Sequence, residues 1–295
     1  MKKLFPILLV LLLLTACTKE EPEKTTPPTT AAPTFQTEAP ATGDTGPEGV
    51  LEEKDTQTVY LMTRMSSLDE SGAENWYREY EYNDRGWKTG EFEYSSTGEL
   101  SYHSVFTYDD AGLCTTTETN YMDPYDASKL ARVTLIRHSY DEKGRVIKHE
   151  SFEDEVLVDT TELTYDDHGN ILTNHMQDMG KLSYTYEYDA QGNILTREEY
   201  LDGELTYIFT CKYDDQGRIT ENFTHNTAGV LEMRSVFTWE GTTQTATYYD
   251  MEDKVFLTTV TTYDDQGNLT FQENQYPDGT VTMTEYFYEP FEITK

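Results

Sequence analysis

From about residue 55 onward, bulky and polar residues alternate along the chain. In "YTYEYDAQGNIL", Tyr186 and Tyr188 flank Glu187, and the run ends at a glycine. The same arrangement holds at Tyr80 and Tyr82 around Glu81, Phe106 and Tyr108 around Thr107, and Phe237 and Trp239 around Thr238. A period of two places successive side chains on opposite faces of an extended strand, so one face is aromatic or apolar and the other polar. The residues two before each tyrosine or its stand-in are Tyr80, Phe106, His138, Leu163, Tyr186, Cys211, Phe237, Thr261 and Tyr286.

Each strand stops at a fixed punctuation. Tyr82, Tyr108, Tyr140, Tyr165, Tyr188, Tyr213 and Tyr263 are each followed four residues later by glycine: Gly86, Gly112, Gly144, Gly169, Gly192, Gly217 and Gly267. Trp239 stands in the same series with a degenerate turn, "WEGTT", and Tyr288 closes it with "YEPF". Successive spacings are 26, 32, 25, 23, 25, 26, 24 and 25 residues. A near-constant period means one supersecondary unit repeated. A second glycine falls 15 or 16 residues after the tyrosine in five units, at Gly98, Gly180, Gly203, Gly229 and Gly279. About eight residues rich in Thr, Tyr, Phe, Ile and Leu lie between the two turns, which is strand length and strand composition.

The unit is therefore strand, tyrosine turn, strand, second turn. The acids after the tyrosine can accept backbone N–H bonds, and the glycine suits a left-handed backbone. The expected fold is all-β: an antiparallel meander of hairpins, about 25 residues per repeat, forming an elongated or curled sheet. At about 4.8 Å per strand an open sheet of this kind runs to roughly 75 Å. It separates Cys114 from Cys211 by roughly 35–40 Å, beyond the roughly 7 Å Cα limit of a disulfide, so both are expected as thiols. Cross-strand tyrosine pairs would form a ladder, each pair contributing roughly 0.2–1 kcal/mol.

The first 54 residues have a different character. "MKKLFPILLVLLLLTAC" has a basic start and an apolar run too short for a comfortable span, ending in Leu14-Thr15-Ala16-Cys17. This resembles a bacterial lipobox, which implies a signal peptide over 1–16 and lipid attachment at Cys17, palmitate included. Residues 17–54 are dominated by Thr, Pro, Ala and Glu and read as a disordered tether. A lipobox followed by such a tether is similar to Gram-positive surface lipoproteins. The expected localisation is extracytoplasmic, lipid-anchored to the cell membrane and exposed at the cell surface. Residues 55–295 form the repeat domain.

The Tyr-Asp-x-x-Gly-Arg/Asn-Ile/Leu/Val cores at Tyr140–Val146, Tyr165–Ile171, Tyr188–Ile194, Tyr213–Ile219 and Tyr263–Leu269 resemble the RHS/YD-repeat family. The resemblance spans roughly residues 76–290 and implies hairpins in a long coiling sheet used as a shell or scaffold. The chain departs from the large members: it has few repeats and ends shortly after the last one, so delivery of a toxin domain is not expected.

Charge narrows the partners. With 55 acidic and 22 basic residues the net charge is −33, which repels nucleic acid and anionic polymers. Removal of 1–16 takes away Lys2 and Lys3 and no acid, giving −35. Calcium is the sharpest metal alternative, but it needs six to eight converging oxygens, while each turn offers two outward acids. The six histidines are scattered, and no Ser-His-Asp set or phosphate loop stands out. No cofactor, no metal and no catalytic residue is expected. The expected protein is a monomeric, non-catalytic surface scaffold, anchored in the membrane by its lipid, that contacts a neutral glycan or a surface protein through aromatic strips. A structural spacer without a ligand and an enzyme of unrecognised type are the alternatives.

Overall fold

The computed structural model describes residues 56–177 and 179–294. The expected signal peptide, the expected lipid site Cys17 and the expected tether lie outside the described residues. Within them are 18 antiparallel strands: β1 (Thr56–Leu68), β2 (Glu74–Tyr82), β3 (Lys88–Ser95), β4 (Leu100–Tyr108), β5 (Cys114–Asp123), β6 (Asp126–Tyr140), β7 (Val146–Glu153), β8 (Val156–Tyr165) and β9 (Ile171–Met176). They continue as β10 (Gly180–Tyr188), β11 (Ile194–Leu201), β12 (Glu204–Tyr213), β13 (Ile219–Asn226), β14 (Leu231–Glu240), β15 (Thr243–Asp250), β16 (Val255–Tyr263), β17 (Leu269–Gln275) and β18 (Val281–Thr294). Each pairs with its sequence neighbours, and β18 pairs with β1. The meander is thus a closed barrel. The expected elongated or curled open sheet is corrected here.

The repeat itself accounts for closure. In each long-turn hairpin the tyrosine stands opposite the residue two after the glycine, and the register shifts by one residue just inside that pair. Tyr82 faces Lys88 and Tyr80 faces Glu91; Tyr213 faces Ile219 and Cys211 faces Asn222. Across the seam Tyr288 faces Met62 and Tyr286 faces Met65, with the same shift. The last and first strands therefore pair with the geometry of the seven long-turn hairpins, with Thr56 and Thr294 where the turn would be. Closure satisfies the backbone groups that two open edges would leave unpaired.

The turn chemistry is local. In the turn after β10, Gly192 N–H bonds Asp189 C=O at 3.1 Å, and the Asp189 carboxylate accepts the N–H groups of Gln191 and Asn193. Gly192 sits at φ 88°, where a side chain would be strained, and the other six motif glycines also have positive φ. These turns make one rim of the barrel, and Thr56 and Thr294 lie at the same rim because they pair beyond Tyr288.

The tyrosine face points inward. Tyr184, Phe209, Cys211, Tyr248 and Leu257 on that face are buried, whereas Thr185, Glu187 and Lys212 between them are exposed. The aromatic strips are thus packed inside and are not an outward contact surface. The outer wall carries Glu118, Arg137, Glu162, Glu187, Lys212, Glu221 and Arg234, with pairs such as Lys212–Glu221 at 2.6 Å and Arg234–Asp253 at 2.8 Å. Charge on a lipid-facing barrel wall costs about 2–4 kcal/mol per basic side chain at the midplane, so this wall is built to face water.

A round barrel of 18 strands at ordinary tilt is roughly 35 Å across, so its lining need not be uniform. Inner side chains of β10–β16 are closely covered, around a centre of Ala246, Tyr248 and Leu257 with Phe237 and Phe256 against them. No described residue of β5–β9 is in the buried class. Cys114 and Cys211 carry thiols, on β5 and β12, seven strands apart around the wall.

Candidate functional site

Why the motif requires tyrosine becomes clear at the rim. For five of the seven motif tyrosines the hydroxyl reaches back and donates to a main-chain carbonyl at the preceding register shift. Tyr82 reaches Met62 O (2.7 Å), Tyr108 reaches Lys88 O (2.7 Å), Tyr140 reaches Cys114 O (2.6 Å), Tyr165 reaches Val146 O (2.6 Å) and Tyr213 reaches Ile194 O (3.0 Å). These carbonyls lie at the register shifts. The tyrosines thus fasten one hairpin to the next, a structural role. Burial is the first cause raising the hydroxyls of Tyr82, Tyr108, Tyr140 and Tyr165, with Tyr82 pushed up to about 12.

The ring is altered on one side. In the β9–β10 hairpin Tyr186 takes the bond to Ile171 O at 2.7 Å, and Tyr188 donates to the Asp166 carboxylate while accepting from Asn170 Nδ2. Burial raises Asp166, but the bonds from Tyr188, Asn170 and His168 outweigh it and hold the carboxyl below the usual range. Two hairpins further on, Trp239 replaces the tyrosine. Its turn is a two-residue loop without a register shift, because Trp239 faces Gln244 and Glu240 faces Thr243. No aspartate folds across the mouth there.

A cleft of about 600 Å³ opens between these two irregularities. The β8–β9 turn contributes His168 and Asn170, the β10–β11 turn contributes Asp189 through Ile194, and the β12–β13 turn contributes Gly217 through Ile219. Tyr213, Trp239 and Gln244 complete it. His168 stacks on Tyr188 with centroids 4.1 Å apart, and Trp239 stacks on Tyr263 at 5.9 Å. Arg218 lies 5.7 Å from the Trp239 ring and is held by Asp214 at 2.7 Å. The Trp239 indole N–H is buried without a hydrogen-bond partner. Such a donor is costly to leave unmade, by about 1–3 kcal/mol, and marks where a water or ligand oxygen belongs.

The cleft binds more readily than it reacts. Asp189 is its most reactive carboxylate in principle, but one oxygen accepts from the N–H groups of Gln191 and Asn193 and the other from Asn193 Nδ2 at 2.8 Å. The Asn193 side chain is the first of the bonds that hold it below the usual carboxylate range. The amides of Gln191 and Gln244 face the cleft with no side-chain bond among the described residues. No group of three metal-ligating side chains occurs among the described residues.

Of the residues singled out in the sequence, Gly192, Tyr213 and Gly217 reach this cleft, and Tyr188 stands behind His168. Tyr82, Tyr108, Tyr140, Tyr165 and Tyr263, with Gly86, Gly112, Gly144, Gly169 and Gly267, are spread around the rim and are not brought together. Trp239 and Gln244 had a signal, the one degenerate turn in the series. His168 carried none beyond replacing a glutamine found in sister turns.

Residues 50–211 match the model of a family described as "Uncharacterised protein". No curated protein matches the chain. Among solved structures, a porin-like protein from Bacteroides uniformis aligns at 12% identity over 77% of this chain and 98% of its own, with a TM-score of 0.35. The TcdB2-TccC3-TEV structure aligns at 12% identity over 75% of this chain, which spans 16% of that much longer one, with a TM-score of 0.28. A DUF1329 family protein from Desulfovibrio piger aligns at 10% identity over 83% of this chain and 87% of its own, with a TM-score of 0.19. The expected RHS/YD-repeat membership is corrected: the matching family is a different one and the sheet closes into a barrel. The Tyr-Asp-x-x-Gly core is turn chemistry that any antiparallel meander of this period can use, so sharing it does not establish descent.

Proposed function

The chain belongs to the family described as an uncharacterised protein, and from the geometry of the mouth we propose that it is a non-catalytic binding protein. It is carried on the cell surface by a lipid at Cys17 and the Thr/Pro-rich segment that follows it, and its contact site is the cleft at the turn rim. The observation that carries this reading is Trp239. It breaks the tyrosine ring, it shortens the turn, and it leaves a buried indole donor beside the only two uncommitted amides of the lining. Aromatic rings, amide groups and no free ionic group suit a neutral, hydroxyl-rich ligand, and the net charge of −33 over the full sequence discourages an anionic one. A neutral glycan segment is therefore the ligand class, ahead of a surface protein.

A neutral-glycan array tests this with the full-length chain, followed by titration of the best hit monitored by tryptophan fluorescence. Binding is expected for the wild type, lost in Trp239→Ala and retained in a rim variant outside the cleft such as Tyr82→Phe. A wild type that retains no glycan, or a Trp239→Ala protein that binds as well as wild type, overturns the reading.

A further inference from the structure

A third irregularity of the repeat lies away from the cleft. The inner pair formed by the residue two before the tyrosine and its cross-strand partner is Tyr80–Glu91, Phe106–Thr117, Leu163–Asn174, Tyr186–Arg197, Cys211–Asn222 or Thr261–Gln272 in the sister hairpins. In the β6–β7 hairpin it is His138–His149. Histidine replaces both members of the pair in the same hairpin. Their rings meet edge to face with centroids 4.9 Å apart, and the two Nδ1 atoms are 2.8 Å apart. His138 Nε2 is 3.1 Å from Thr117 Oγ1, which in turn is 3.8 Å from Cys114 Sγ.

From this geometry we propose that His138 and His149 form a two-imidazole site for a borderline divalent transition-metal ion of the zinc class, facing the barrel interior. One consistent proton assignment has His138 Nε2–H donating to Thr117, which leaves the Nδ1 lone pair turned toward His149. A hydrogen bond to the distal nitrogen is how ligating histidines are held in tautomer and orientation. His149 Nδ1–H then donates to His138 Nδ1. On metal binding that proton moves to Nε2 of the same ring, so both Nδ1 lone pairs face the ion and the pair stays neutral. Zinc–nitrogen bonds of about 2.0–2.1 Å at a tetrahedral angle set the nitrogens about 3.3 Å apart, so the pair opens by roughly 0.5 Å. No third histidine, cysteine or carboxylate joins them among the described residues, so water fills the other positions. The site is reachable: both rings are half-buried, on the side of the barrel where no inner residue is closed off. Burial, the first cause at both rings, favours the neutral imidazole that a metal requires. Imidazole selects zinc, copper or nickel over magnesium or calcium, which separates this pair from the acidic turns.

The test is calorimetric titration of the full-length chain with zinc chloride in excess magnesium chloride, which occupies carboxylates. One zinc per chain is expected. Affinity should fall at least tenfold in His138→Gln and in His149→Gln and stay unchanged in His175→Gln, whose ring is on the outer wall. Far-UV circular dichroism establishes that each variant is folded. For a variant that does not fold, the imidazole nitrogen resonances of the wild type decide, since zinc should shift those of His138 and His149. No zinc binding by the wild type, equal binding by His138→Gln, or zinc shifts confined to other histidines overturns the proposal.

Discussion

At the scale of single residues, the repeat is held by hydroxyls placed where the main chain has irregular pairing. The Tyr108 hydroxyl donates to Lys88 O at 2.7 Å, and that carbonyl belongs to the residue paired with Tyr82 at a register shift. Phenylalanine keeps the ring, which packs 5.3 Å from Trp87, and removes only the bond. Tyr108→Phe should therefore destabilise by about 1 kcal/mol, the ordinary net value of one intramolecular hydrogen bond, with the ring contact retained. Urea unfolding of the variant against wild type measures it; an unchanged midpoint would make the hydroxyl dispensable and leave the motif's tyrosine without its reason.

At the scale of elements, each long turn is organised by one carboxylate or its amide substitute. Asp141, Asp166, Asp189, Asp214 and Asp264 accept two N–H groups each, and Asn83 and Asn226 do the same work in other turns. All five aspartates are held below the usual range in the folded chain. A carboxyl with a depressed folded value binds more protons when unfolded, so its contribution is present above the unfolded value near 4 and is lost as pH falls below that. The melting temperature should hold from pH 7 to 5 and drop steeply below about pH 4. Exchanging the five aspartates for asparagine should flatten that acid limb; an unaltered limb would place the acid sensitivity elsewhere. The hairpins and their turns were legible because turn chemistry and strand alternation are local. The cleft was legible only as a defect in the series at Trp239, since its depth depends on turns brought side by side around the rim. The His138–His149 pair was not legible, because cross-strand partners eleven residues apart emerge only once the register is known.

At the scale of the whole molecule, the decisive event is the meeting of β1 and β18, whose paired residues Thr56 and Thr294 are 238 positions apart. Nothing local marks it: β1 carries no tyrosine turn, and Tyr288 ends the series without one. Yet the count of nine tyrosine-type positions already equals half of 18 strands, and the seam restores the missing hairpin. Closure turns the aromatic ladder inward and gathers the turns into one mouth, so both the water-facing wall and the cleft follow from it. The most direct measurement is a disulfide across the seam. Ser67 and Thr284 face each other there, within reach of a cross-strand bridge. Ser67→Cys with Thr284→Cys, in a chain whose Cys17, Cys114 and Cys211 are replaced, should oxidise to an intramolecular disulfide under native conditions and raise the melting temperature. A chain that remains reduced, or that links only between molecules, would contradict the closed barrel.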